Sequence, residues 1–463
     1  METHAATVSS GSLAARLARF SAPLRFDSLP EPVVHQAQRC LLDTTGAMLA
    51  GSRLSLAGQA GRRMAEKLAE RGDSGVAGST MSRSPMTAAL VNGMASHALE
   101  LDDGSKHATY HPGASIVPAA LALGQAKRIS GRKLVEAVVA GYEVSLRIGT
   151  AINPGHYLRG FHPTGTIATF GTTAAAAKIL ALDAETTVNA LGLAGSLASG
   201  INQYEIDGSI SKHLHPGNAA RNGILAAMLA DEGMTGPDEI LEGRLGFFHC
   251  FAPDGADPAV VTDGLGEDWN FLRIYFKPWC SCRYVHYAIE ATQKDLAQRP
   301  LRPDEIGSIV VRTHRNAKQG SDIPDYRSPL HARLSIQYGI ASIIVRGRAG
   351  LGEYEDDAIA DPEVRRVSDL VRIEVDEEIQ KLYPNPRSMV VEIRDLSGAG
   401  VSSRIDHAKG DPENPMTDDE LRAKFRDVTA GVVDEARAER IIAAAMDIRK
   451  CADVSHYASL LQF

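Results

Sequence analysis

The first 250 residues of the chain contain one helical pattern after another. Apolar positions recur at helical spacing, and Gly, Pro or charged residues stand at the ends of the segments. The pattern predicts helices over Pro32–Met48, Thr87–Leu101, Pro118–Lys127, Gly131–Ile148, Ile167–Leu182, Ala184–Ser199 and Asn218–Asp231. For the first of these, Gly51 is the expected stop. The run Thr172–Ala177 contains only small residues, so we expect its helix to be buried between closely packed neighbours.

The pattern changes after about residue 265. Apolar and polar residues alternate, as they do in strands, over Gly307–His314, Leu370–Val375 and Met389–Arg394. Helical patterns lie between them over Tyr284–Leu296 and Ala332–Val345. Strands interleaved with helices predict a separate α+β domain.

The final 50 residues are helical again. Thr417 and Glu420 form a capping box, followed by helical patterns over Asp418–Arg426 and Asp434–Ile448. We therefore predict a mainly α protein with an α+β part. Residues 1–268 and 410–463 are expected to form a large all-helical domain, and residues 269–409 a smaller α+β lid domain.

Composition excludes several classes of partner. The chain has 57 acidic and 49 basic residues, a net charge of −8, which argues against a nucleic-acid or anionic-membrane partner. Five scattered cysteines do not form a disulfide framework and fit a reducing cytoplasm. We expect no secretory signal and no membrane span, because the start lacks a basic segment followed by an apolar run and no apolar stretch reaches about 18 residues.

Histidine, lysine, arginine and acidic residues concentrate in four segments beside Gly or Pro, namely His97–Pro112, Gly155–Thr166, Ser209–Gly217 and Lys277–His286. His107 and His111 have metal-ligand spacing for a helix, but Gly104 and Pro112 disfavour a helix there and no third ligand is evident. Solvated histidines beside a capping aspartate are the plainer alternative. The C-x-C of Cys280 and Cys282 lacks a second pair, so zinc is unsupported. We predict no metal.

The residues that remain can bind an anion and move a proton. They are His111, His162, Lys212, Arg283 and Tyr157, with an acidic neighbour. Cationic donors hold carboxylates and stabilise enediolate charge, and histidine transfers protons near neutral pH. The set favours proton transfer next to a carboxylate.

The ordered series of motifs resembles the MmgE/PrpD family over nearly the whole chain. The matching segments are His97–Gly124, Gly141–Gly149, Arg159–Thr166, Ala190–Gly200, Lys212–Gly223, Lys277–His286, Ala332–Ala341 and Lys409–Leu421. The resemblance implies a large helical domain with a smaller α+β lid, a homodimer, and no metal or organic cofactor. It also implies a small polycarboxylate substrate, since family members include 2-methylcitrate dehydratase, cis-aconitate decarboxylase and iminodisuccinate epimerase.

The same resemblance assigns catalytic residues one by one. Glu100 stands where the family more commonly has Asp, and His111, His162 and Lys212 match family motif positions. Tyr157 matches a tyrosine proposed as an acid–base group in the epimerase branch.

Substrate-binding positions are expected among Asp102, Arg283, Cys282, Tyr338 and His215. Cys282 stands where the decarboxylase branch has a histidine, and Gly104 replaces a common threonine. Asp102 is expected to hold the loop or orient His111, and His215 to position its neighbours. Tyr338 lies on an apolar helical stripe that suits a core position equally well.

These assignments favour a metal-independent hydro-lyase that dehydrates a 2-methylcitrate- or citrate-like hydroxy acid. A dicarboxylate epimerase comes next, then cis-aconitate decarboxylation, which the departure at Cys282 disfavours, and last a non-catalytic polycarboxylate-binding protein. His111 is the leading candidate for proton transfer, with Glu100 or Asp102 orienting its ring. Lys212 and His162 are expected to bind carboxylate and stabilise the enediolate.

Overall fold

The computed structural model describes residues 11–463. The first 250 residues form α1 (Leu13–Ser21), α2 (Glu31–Leu54), α3 (Leu56–Leu68), α4 (Pro85–His97), α5 (Gly113–Ala126), α6 (Gly131–Ile152), α7 (Gly155–Leu158), α8 (Pro163–Leu180), α9 (Ala184–Leu197), α10 (Tyr204–Asp207), α11 (Leu214–Asp231) and α12 (Phe247–Phe251). Two short antiparallel pairs join β1 (Ser74–Gly75) to β2 (Ser82–Arg83), and β3 (Gly104–Ser105) to β4 (Ile274–Tyr275). The predicted helices are confirmed, with shifted ends.

The prediction that Gly51 stops α2 is wrong. The helix continues to Leu54, and Gly51 is buried within it. A Cβ atom at Gly51 would lie 1.9 Å from the carbonyl oxygen of Ala95 in α4, which no side chain can accommodate. Glycine is therefore required here by the close approach of α4, and not by the end of the helix.

The small residues of α8 are buried, as the sequence predicts. The helix packs against α5, α6, α9 and α11. At the crossing with α11, a Cβ atom on Gly223 would lie 2.0 Å from Oγ1 of Thr172. Backbones this close leave space for almost no side chain, which explains the Ala-, Gly- and Thr-rich sequence.

The smaller part contains the helices α13 (Arg283–Gln298), α14 (Arg315–Ser321), α15 (Pro329–Leu334), α16 (Ile336–Arg346), α17 (Asp356–Ile359), α18 (Pro362–Ser368) and α19 (Glu377–Leu382). Its strands are β5 (Ile306–Thr313), β6 (Val371–Val375), β7 (Met389–Asp395) and β8 (Gly400–Ile405). The three predicted strands are confirmed, whereas β8 was not predicted. The single helix predicted over Ala332–Val345 is two helices, because Ser335 leaves helical geometry and caps α16 through the amide of Tyr338.

The four strands form one mixed sheet in the order β6-β5-β7-β8. β5 pairs in parallel with β6 and antiparallel with β7, so Ile309 lies beside Val371 on one side and Ile393 on the other. Helix α13 packs against β7 and β8, and its Val285 belongs to the apolar core of the sheet. The fold is thus a large helical body plus a smaller α+β part.

The C-terminal helices are α20 (Asp418–Thr429), α21 (Glu435–Met446) and α22 (Ser455–Leu460). The capping box of Thr417 and Glu420 is confirmed at the start of α20. Helices α20 and α21 pack against α2, and Phe425 and Ile441 belong to the core of the N-terminal helices. The exact domain boundaries remain a prediction. Among residues 11–463, none of the helices combines the length and apolar character needed to cross a bilayer.

Candidate active site

A cavity of about 560 Å³ lies between the helical body and the α+β part. This volume suits a small organic ligand. Seven of the ten predicted site residues line it, namely Glu100, His111, Tyr157, His162, Lys212, Cys282 and Arg283. Asp102 and His215 lie directly behind this lining: Oδ2 of Asp102 is 3.5 Å from Nδ1 of His111, and Nδ1 of His215 is 2.9 Å from Nδ1 of His162. Tyr338 does not line the cavity; it is fully buried, its hydroxyl donates to the carbonyl of Glu353, and it packs against other tyrosines.

The loop between α4 and α5 supplies the acidic side of the site. Its backbone is held from a distant helix, because Lys424 of α20 donates to the carbonyl of Leu101 and to Oδ1 of Asp43, both at 2.6 Å. Glu100 has a φ of +55°, a left-handed conformation that is uncommon for a residue with a side chain. The fold thus keeps an unfavourable backbone conformation at a residue that lines the cavity.

Glu100 is buried between two lysines. Its Oε1 accepts a hydrogen bond from Lys212, and its Oε2 lies 3.3 Å from Nζ of Lys277. Burial alone would raise the pKa of Glu100, but the ammonium groups of Lys212 and Lys277 hold that pKa well below its usual range. Glu100 is therefore a carboxylate that fixes two cations, and is poorly suited to carry a proton.

Asp102 pairs first with His97. Its Oδ2 lies 2.7 Å from Nδ1 of His97 and 3.5 Å from Nδ1 of His111. Burial raises the pKa of Asp102, but the two imidazoles and Lys277 outweigh burial and lower it. Asp102 is thus an ionised anchor for the ring of His97.

His111 is oriented by a backbone group. Its Nδ1–H donates to the carbonyl of Asp103 at 2.7 Å, so the lone pair of the neutral ring is on Nε2. Burial, followed by the charge of Lys277, lowers the pKa of His111 to about 3. His111 is therefore a neutral base at physiological pH. Of the two residues expected to orient this ring, Glu100 or Asp102, Asp102 lies 3.5 Å from Nδ1, and the carbonyl of Asp103 is the nearer acceptor.

His162 is neutral as well. Its Nδ1 lies 2.9 Å from Nδ1 of His215, so one of these two nitrogens carries a proton and donates a hydrogen bond to the other. Burial and the neighbouring ring of His97 hold the pKa of His162 well below its usual range. His162 can thus offer a hydrogen bond to a carboxylate but no positive charge, and the cationic role falls to the lysines and arginines.

A second acid–base pair lies elsewhere in the cavity lining. The hydroxyl of Tyr157 donates to Oε1 of Glu205 at 2.9 Å. Burial raises the pKa of Tyr157 well above its usual range, and burial also raises that of Glu205. Tyr157 therefore keeps its proton at neutral pH, with the O–H directed to Glu205. The sequence did not single out Glu205, which lies in the helical turn α10.

The α+β part and the segment that leads into it from β4 supply three buried cations. Lys277 lies against Glu100 and Asp102. Arg283 donates to Asp411 at 2.7 Å and to the carbonyls of Ala408 and Lys409. Arg387, just before β7, lines the cavity. Lys277 was visible in the K-P-W-C motif, but no motif marks Arg387.

Cys282 is the residue before the first turn of α13. Its Sγ lies 3.8 Å from Oγ of Ser321, and the side chain is partly exposed in the cavity lining. This position supports a role in shaping the cavity wall.

Two groups of side chains within the described residues have spacing that could hold a cation: His97 with Asp102 and His111, and His407 with Asp411 and Glu413. In the first group, Nζ of Lys277 lies 3.9 Å from Oδ1 of Asp102 and already supplies positive charge. The second group bonds to Lys106 and Arg283.

Comparison with known proteins gives full-length matches. The MmgE/PrpD N-terminal domain matches residues 15–258, and the MmgE/PrpD C-terminal domain matches residues 279–449. The chain is 28% identical to the cis-aconitate decarboxylase-like protein oryM of Aspergillus oryzae, over 97% of both chains. It is 27% identical to a cis-aconitate decarboxylase of Aspergillus terreus, over 96% of this chain and 95% of that one. For the cis-aconitate decarboxylase of Homo sapiens the identity is 28%, over 95% and 92%.

Proposed function

The chain belongs to the MmgE/PrpD family, and from that premise we propose that it is a lyase of small polycarboxylates. The observation that carries the proposal is the neutral ring of His111. Its Nδ1–H is committed to the carbonyl of Asp103, so Nε2 is a free base at the wall of a cavity that also contains buried cations. A base beside cations suits removal of a proton from carbon next to a carboxylate.

The reaction we propose first is dehydration of a hydroxy acid such as citrate or 2-methylcitrate. Nε2 of His111 takes the proton from the carbon next to a carboxylate, and negative charge grows on that carboxylate. Lys212 lies at the cavity wall and stabilises this charge. Glu100 holds the ammonium group in place.

The carbon–oxygen bond to the hydroxyl then breaks. Tyr157 gives its proton to the departing oxygen, and Glu205 orients the phenol. The substrate has lost one proton and one hydroxide, which together make water. The proton on His111 returns through solvent to Tyr157, so both groups end as they began. Neither step needs a metal or an organic cofactor.

Decarboxylation of cis-aconitate is the second candidate. Relatives at 27–28% identity include cis-aconitate decarboxylases and a cis-aconitate decarboxylase-like protein. In this reaction the bond to carbon dioxide breaks, and the carbon left behind takes a proton. Tyr157 is the protonated group that could supply it. The resemblance places Cys282 where the decarboxylase branch has histidine, which is why we rank this reaction second.

A panel of substrates tests the proposal. Chelator-treated protein is incubated in deuterated water with citrate, 2-methylcitrate, cis-aconitate and a chiral dicarboxylate, and products are followed by NMR and by ultraviolet absorbance of a new conjugated double bond. Dehydration predicts that double bond from a hydroxy acid. The His111→Gln variant should be inactive, whereas His456→Gln, at an exposed position, should be fully active.

The other outcomes identify the alternatives. Carbon dioxide from cis-aconitate would favour decarboxylation, and deuterium incorporation without a double bond would favour an epimerase. Turnover of none of the compounds, or full activity in His111→Gln, would contradict the proposal. A homodimer in the cytoplasm remains part of the proposal, and light scattering that gives a monomer at micromolar concentration would contradict the dimer.

A further inference from the structure

Arg387 differs from Lys212 and Arg283 in the cavity lining, and from Lys277 beside it, in having no anionic partner. Lys212 and Lys277 bond to Glu100, and Arg283 bonds to Asp411. Arg387 is 4% exposed and forms no ion pair with any carboxylate of residues 11–463. Its Nη2 donates to the carbonyl of Lys106, and its Nε has no partner within the described part of the chain.

A buried charge without a counterion is unfavourable, and proteins retain such charges where a ligand neutralises them. Two aromatic rings flank the guanidinium, with their centroids 5.6 Å away for Tyr284 and 5.9 Å for Tyr383. These rings position the group by cation–π contact but supply no negative charge. Burial opposes the charge, but a guanidinium is not deprotonated in proteins, so the positive charge persists.

The location of Arg387 connects it to the reacting group. Arg387 lies two residues before β7 in the α+β part, and His111 belongs to the loop between α4 and α5 of the helical body. Both line the same cavity. Tyr275 also lines it, and its ring lies edge-on to that of His111, with centroids 6.3 Å apart. A ligand that reaches from Arg387 to His111 would therefore contact both parts of the protein.

We propose that Arg387 binds a carboxylate of the substrate other than the one next to the reacting carbon. This inference rests on the proposed function and makes it more specific. Lys212 serves the carboxylate on which charge develops, whereas Arg387 binds a second carboxylate through its planar fork. The substrate must then carry at least two carboxylates, and Arg387 determines that requirement.

Tricarballylate is a suitable probe, because it has three carboxylates but neither a hydroxyl group nor a double bond to react. Calorimetry on the folded protein compares the natural sequence with R387Q, R387K and the control R312Q. Arg312 lies on β5 of the same sheet, pairs with Glu392, and does not line the cavity. We expect R387Q to lose affinity by about 10- to 100-fold, the usual range for a hydrogen-bonded charge. R387K should lose less, and R312Q should bind as the natural sequence does.

Thermal unfolding without ligand separates a binding role from a structural one. If Arg387 serves to bind a ligand, R387Q without ligand should unfold at the same or a higher temperature than the natural sequence. The increase in unfolding temperature that tricarballylate produces should be lost in this variant. Unchanged affinity in R387Q would overturn the inference and leave the proposed function standing. An equal loss of affinity in R312Q would overturn the inference in the same way. It would also be overturned if R387Q lost affinity together with a lower unfolding temperature and R387K lost just as much affinity. Failure of the natural sequence to bind tricarballylate or citrate would instead refute the proposed function, and the inference with it.

Discussion

Replacement of His213 by glutamine is expected to change how many protons the protein takes up when it unfolds. His213 is 3% exposed, and its Nδ1 has no partner within the described residues. Its ring lies 6.0 Å from that of His97. Burial, then the neighbouring His97 and Lys212, lowers the pKa of His213 to about 3. In the folded protein His213 therefore stays neutral throughout the mildly acidic range.

The unfolded chain behaves differently, because an exposed imidazole has a pKa of about 6.5. At about pH 5.5 it carries roughly 0.9 of a proton, while folded His213 carries almost none. The folded state thus loses stability as the pH falls below about 6.5. Between about pH 7.5 and pH 5.5 the free energy of unfolding decreases by about 1.4 kcal/mol for this residue alone. His111, His162 and His215 have lowered pKa values for the same first cause, burial.

The assay is a potentiometric measurement of proton uptake when the protein is unfolded in urea at about pH 5.5. We expect H213Q to take up about 0.9 proton fewer than the natural sequence. Val139→Ala is the control, because it truncates a buried side chain of α6 and removes no ionisable group. Equal uptake by H213Q and the natural sequence would refute the reasoning, since it would mean that His213 titrates alike in both states.

Four further outcomes are expected. His111→Ala should lower turnover by about 10²- to 10⁴-fold with little change in the Michaelis constant, whereas Lys212→Ala should lower turnover and raise the Michaelis constant. Steady-state kinetics tests both variants. An effect of His111→Ala on the Michaelis constant alone would contradict the expected role. The specificity constant should not fall through about pH 6.5 on acidification, because the pKa of His111 is lowered to about 3; a midpoint near 6.5, after correction for substrate ionisation, would disprove a neutral buried base. Dialysis against a chelator should leave activity unchanged, and restoration by added zinc or iron would contradict this. Gly51→Ala should lower the free energy of unfolding by about 1–3 kcal/mol or more, because its Cβ would overlap the carbonyl oxygen of Ala95. Denaturant unfolding measures this change. An unchanged midpoint would show that α4 can move away.

The local sequence pattern was sufficient to predict a helix or strand that buries one of its faces. The strand Met389–Asp395 alternates buried and less buried residues, and the predicted strand differs by one residue. The pattern did not predict where a helix ends when contacts with distant segments determine that end. Gly51 resembles a helix stop but is required by α4, and Ser335 divides a continuous apolar pattern into two helices.

For the site, residue type and motif located the groups that lie in the cavity but not their partners. Asp103 orients His111 through its carbonyl group, and a backbone acceptor leaves no signature in the sequence. Arg387 and Glu205 have no motif, and each is recognisable only once distant segments form one cavity. Tyr338 lay on an apolar stripe, and burial among tyrosines explains that pattern without a ligand.

The hold of Lys424 on the loop of Glu100 has a consequence for synthesis of the protein. The ammonium group binds the carbonyl of Leu101, 323 positions earlier in the chain. A chain emerging from the ribosome makes every helix of the N-terminal half before this lysine appears. The early helices can pack, but the loop lacks the contact that fixes its backbone until α20 has docked against α2. The geometry of this loop is therefore completed only after Lys424 has been synthesised and α20 has docked, and a chain truncated before α20 leaves the loop unanchored even where the helices around it have formed.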